Sequence, residues 1–81
     1  MDKRIPSYEE FRQKVKDSFW ECRIFLKEEE VDEYLLREEN ETLIRNKYKT
    51  SIEKINNGEM TILQMMHGAV GAVAYCLYML W

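Results

Sequence analysis

Glycine, proline, histidine and cysteine are all scarce in this chain. Three glycines and one proline in 81 residues are too few for the turns of a many-stranded β fold. One histidine, His67, and two cysteines, Cys22 and Cys76, with no Cys-x-x-Cys pair, leave no zinc site of ordinary spacing. The same two cysteines permit at most one internal disulfide. The opening stretch, MDKRIPSYEEF, lacks the apolar core of a secretory signal. The expectation is a reduced, cytoplasmic protein in which both thiols fill the core.

Catalytic chemistry is equally thin. The helical neighbours of His67 are Leu63, Gln64, Val70 and Gly71, none of them a nucleophile or a carboxylate. Cys76 falls on the expected core side, with no local cation to activate it. No phosphate loop, dinucleotide fingerprint or calcium loop is present. The chain is therefore expected to be no enzyme and to need no metal or cofactor.

What the chain does have is charge in blocks. Residues 28–41 carry eight acids and one base. Glu28, Glu29, Glu30, Asp32, Glu33, Glu38, Glu39 and Glu41 form this acidic cluster, a candidate docking patch for a basic partner or otherwise a solvated face. Residues 60–81 carry no charge at all. The net charge of −3 and the scattered bases disfavour direct nucleic-acid binding.

The hydrophobic pattern is helical throughout. Ser7-x-x-Glu10 reads as a capping box. After it, Tyr8, Phe11, Val15, Phe19, Cys22 and Leu26 recur at steps of three and four. The phase is lost near Lys27–Glu30. A short second helix turns Val31, Tyr34 and Leu35 inward. Asn40 suits the N-cap of a third helix, along which Leu43, Ile44, Tyr48, Ile52 and Ile55 recur until Asn57-Gly58 ends it. Thr61-x-x-Gln64 is a second capping box and opens the last helix. The predicted fold is all-α: one domain over 1–81, a small bundle of about four helices (8–26, 29–37, 41–56 and 62–80), three long and one short, with an uncharged, largely buried C-terminal helix.

That last helix has two faces. At about 100° per residue, Ile62, Met66, Ala69, Val73, Leu77 and Leu80 form a core stripe. Gln64, Gly68, Gly71, Tyr75 and Tyr78 lie opposite, with His67 beside them. A helix apolar nearly all round is usually buried on most sides, yet a domain this small buries only about 60% of the surface of its unfolded chain. Self-association through Gln64, His67, Gly68, Gly71, Tyr75, Tyr78 and Trp81 is the expected remedy, as a homo-oligomer and most simply a dimer. The Gly68/Gly71 pair does not have GxxxG spacing. Function is then expected to be protein–protein interaction, in the manner of a compact accessory or inhibitor protein of a phage or mobile element. Two alternatives belong to other classes. One is an oligomer with a pocket for a small ligand such as a nucleotide, lined by Gln64, His67, Tyr75 and Tyr78. The other is a membrane anchor, because twenty-two uncharged residues are long enough to span a bilayer.

Overall fold

The computed structural model describes residues 5–22 and 26–80, and of Cys22 the backbone alone. Four helices appear in chain order: α1 (Tyr8–Cys22), α2 (Glu28–Leu35), α3 (Glu38–Asn56) and α4 (Ile62–Leu80). The described residues contain no strand. The bundle is elongated, 39 × 23 × 19 Å. Helix α1 lies chiefly along α4, and α3 runs back beside both.

Three of the helix starts and the stop of α3 have a local chemical reason. At the head of α1 the Glu10 N–H donates to Ser7 Oγ and the Ser7 N–H donates to Glu10 Oε1, both at 3.2 Å. This reciprocal box satisfies two amides that have no partner inside the helix. Thr61 and Gln64 do the same at the head of α4, at 2.8 and 3.0 Å. The Lys27 N–H finds Glu30 Oε1 at 2.9 Å before α2. Helix α3 ends in a paired closure: Gly58 N–H reaches the Ile55 carbonyl and Glu59 N–H the Lys54 carbonyl. That closure needs a left-handed residue, and Gly58 supplies it at φ 77°.

The core is one cluster. Phe11, Val15 and Phe19, each four residues from the last, form the fully buried edge of α1. They meet Val31, Tyr34 and Leu35 of α2, Ile44 of α3, and Met65, Ala69, Val70, Val73, Ala74 and Leu77 of α4. Phe19 stacks on Tyr34 with ring centroids 5.5 Å apart. Polar ties run through this apolar contact. Tyr34 Oη donates to the Leu77 carbonyl at 2.8 Å, in the last turn of α4, where carbonyls run out of helical donors. Tyr48 Oη donates to the Pro6 carbonyl at 2.8 Å, fastening α3 to the entrance of α1.

Several sequence expectations are corrected. Helix α1 is described from Tyr8 to Cys22, and Leu26, expected at its end, is not helical. Leu26 lies in a bend, its carbonyl accepting from Trp20 Nε1 at 3.1 Å. Asn40 is no N-cap, because α3 begins at Glu38 with Arg37 at the cap. Asn40 instead sits inside the helix, buried, and its Nδ2 donates to the Tyr34 carbonyl at 2.8 Å. Leu43, placed in the core by periodicity, is exposed. So are Leu80 and Cys76 on α4, so that Cys76 fills no core. Ile24, Phe25 and Trp81 lie outside the described residues, as does the side chain of Cys22.

Met65 and Val70 are buried although a uniform helix would separate them. Five residues at about 100° each leave two positions roughly 140° apart. Residues Met65–Ala69 instead form a π turn, in which Val70 N–H reaches back to the Met65 carbonyl. A turn closed by an i→i+5 bond brings residues five apart nearly into line. Both side chains thereby reach the core.

The Tyr34–Leu77 tie should be measurable. Tyr34→Phe is expected to lower unfolding stability by about 1–2 kcal/mol in urea denaturation, with the slope against denaturant unchanged. The exposed control Asn46→Ala is expected to stay within about 0.5 kcal/mol.

Candidate interface on the C-terminal helix

The core stripe of α4 is a consequence of its packing chiefly against α1 and next against α3, and that packing covers one side only. Helix Ile62–Leu80 is long and apolar enough to cross a membrane, but only 33% of it is buried inside the chain. The remainder faces outward as two adjacent rows at i, i+4 spacing. One holds Leu63, His67, Gly71, Tyr75 and Met79; the other holds Gln64, Gly68, Ala72, Cys76 and Leu80. Leu63, Tyr75, Met79 and Leu80 are 69%, 64%, 63% and 65% exposed.

Of the residues expected on this face, Gln64, His67, Gly68, Gly71 and Tyr75 lie together on it, exposed. Tyr78 is half-buried against the core, and Trp81 is outside the described residues. Gln64 Oε1 accepts from the Thr61 N–H. Ala72 and Cys76 were missed. Gly68 and Ala72 in fact form a small-xxx-small pair on one row, although Gly68 and Gly71 do not. The glycines serve no contact within the chain: a Cβ added at Gly68 or Gly71 meets nothing within 4 Å. Each nevertheless weakens the helix by up to about 1 kcal/mol relative to alanine. Together with Ala72 they leave a shallow notch in the middle of the face.

Beside the notch, a cleft of about 280 Å³ opens between α3 and α4, lined by Leu43, Asn46, Lys47, Thr50, Ala72, Val73 and Cys76. The exposure of Leu43 is explained by its place on the rim of this cleft. None of Gln64, His67, Tyr75 or Tyr78 lines it.

The acidic cluster is occupied differently. Lys16 of α1 is buried, and its Nζ lies 2.7 Å from Glu28 Oε2 and 2.9 Å from Asp32 Oδ1, locking α2 onto α1. Glu30 caps α2. Glu41 pairs with Arg45 at 3.5 Å. Glu28, Glu29 and Glu30 fill the first turn of α2, and Glu38, Glu39 and Glu41 that of α3, where a helix dipole favours negative charge. Much of the cluster thus has an intramolecular task, and Glu33 lies exposed beside Tyr34 and Arg37. Among the described residues, no group of three or more His, Cys, Asp or Glu is arranged to hold a metal ion.

The chain matches no protein-family model, no curated protein and no solved structure.

The Lys16 lock has a pH signature. Hydrogen bonds to Glu28 and Asp32 raise the Lys16 pKa above its ordinary 10.5, outweighing the effect of burial. Burial likewise raises the Tyr8 phenol above 10.0, against the opposing charge of Arg45, whose guanidinium lies 4.5 Å from the ring centroid. Both groups hold their protons more tightly folded than unfolded. Their contribution is full below pH 10 and is lost as pH rises through the folded values. Urea denaturation across this range is expected to show stability falling above pH 10, with a shallower fall in Lys16→Met.

Proposed function

We propose that this protein is a non-enzymatic helical binding protein that self-associates through the outward face of α4 and, as an oligomer, acts on another protein. The observation that carries this is the exposure of Leu63, Tyr75, Met79 and Leu80 on one uncharged helix face. An isolated exposed leucine is ordinary, but a contiguous apolar strip on a small protein marks an interaction surface.

Charge points to a second copy as the occupant. Outside residues 60–81 the chain carries all twelve bases and all fifteen acids. The outward rows of α4 have no counter-charge to offer those surfaces, and their best match on this chain is the same rows of another copy. A self-complementary patch of this kind closes as a twofold dimer.

The membrane-spanning alternative is disfavoured by the other side of the same helix. Insertion would withdraw Met65, Val70, Val73 and Leu77 from the shared core and break the Tyr34–Leu77 tie. Pairing through the outward rows disturbs neither.

Sedimentation velocity of the full chain without detergent tests the proposal. A dimer is expected at micromolar concentration. Gly71→Leu is expected to give a folded monomer with unchanged helical circular dichroism, because its side chain enters open space within one chain. A wild-type monomer at high micromolar concentration, or a Gly71→Leu variant that still dimerises, would contradict it. Recovery only with detergent or vesicles would favour the membrane alternative.

A further inference from the structure

Resting on the proposed self-association, we infer that the two α4 helices cross antiparallel, with Gly71 and Ala72 at the crossing point and the Tyr75 of each copy seated over Gly68 of the other. Three observations lead to this register.

The first is positional. Reversing α4 about a point midway between Gly71 and Ala72 carries Gly68 onto Tyr75 and His67 onto Cys76. The remaining outward positions exchange in the same way, so the whole exposed set of the helix maps onto itself. An antiparallel twofold at that point therefore relates every outward position of α4 to another outward position.

The second is size. The face is small at Gly68, Gly71 and Ala72 and large at Tyr75 and beyond. Rows at i, i+4 spacing that interdigitate cross at about −50°, which brings the axes closest at the crossing, where only small residues fit. In the antiparallel arrangement each Tyr75 ring enters the notch over Gly68, where the chain itself places nothing within 4 Å. A parallel pair would set Tyr75 against Tyr75 next to the closest approach and leave the Gly68 notch empty.

The third is charge. Tyr34 reaches Leu77, so α2 and the first turn of α3 sit at the C-terminal end of α4. These carry the eight acids and one base of residues 28–41. A parallel pair would bring both acidic ends together. The antiparallel pair separates them by the length of the helix.

Cysteine crosslinking distinguishes the arrangements, because Cys76 is exposed on this face. In the antiparallel register it faces position 67 of the other copy. Mild oxidation of His67→Cys is expected to yield mostly covalent dimer, mapped to a bridge between positions 67 and 76. Wild type and the double variant His67→Cys/Cys76→Ala are expected to yield little bridging between α4 helices. Positions 67 and 76 of a single helix lie too far apart along its axis to bridge within one chain. A bridge between two Cys76 residues in wild type, or none from His67→Cys in a preparation that sediments as a dimer, would overturn the register and leave self-association standing. A monomer by sedimentation would overturn both. Should His67→Cys fail to fold, a bifunctional thiol–imidazole crosslinker on wild type reads the same pair.

Discussion

The flanking helices of this chain cover one side of a nineteen-residue apolar helix, and the rest of this structure follows from that partial cover. The fraction of surface a domain can bury rises with its size, and three flanking helices reach only one side of α4. Phe11, Val15 and Phe19 form the contact that α4 requires. The short α2 closes one end, fastened by Lys16 to α1 and by Tyr34 to α4. The other side of α4 remains outside, uncharged and bearing four large apolar side chains. The core and the candidate interface are two faces of one element, so the sequence that stabilises the fold also creates the exposed apolar surface.

The proposed function by association rests on the same economy of parts. Several charged residues are held in structural tasks. Lys16 is buried between two carboxylates, Glu30 completes a helix start, and Glu41 faces Arg45. His67 stands exposed among Gly68, Gly71 and Gln64, without a carboxylate on its face of the helix. What is left over is shape: a notch at Gly68, Gly71 and Ala72, flanked by bulk at Leu63 and Tyr75. Surfaces of that kind recognise other surfaces.

Local chemistry was legible from the residues alone. Both capping boxes, the Asn57-Gly58 stop, the stripe of α1 and the two-faced character of α4 depend on neighbours within four residues, and periodicity reads such neighbours directly. The failures share a different cause. Asn40 looks like a cap because asparagine favours caps, but a buried carbonyl of α2 holds it inside α3. Leu43 adjoins the buried Ile44, yet it falls on the rim of the cleft between α3 and α4 and stays exposed. Met65 and Val70 join the core through a π turn that a fixed angle per residue cannot express. Cys76 and Leu80 sit at the edge of the stripe, where tertiary packing rather than periodicity decides which side is wet. Ala72 was passed over for the same reason, although it completes the notch.

The central claim is that the outward rows of α4 are covered in the working protein, and the thiol of Cys76 reports on that cover directly. Its alkylation rate, read by peptide-resolved mass spectrometry under a large excess of reagent, should be measured from nanomolar to high micromolar protein. The account predicts a thiol that reacts freely when dilute and becomes protected as concentration rises and copies pair. A rate independent of protein concentration would contradict it.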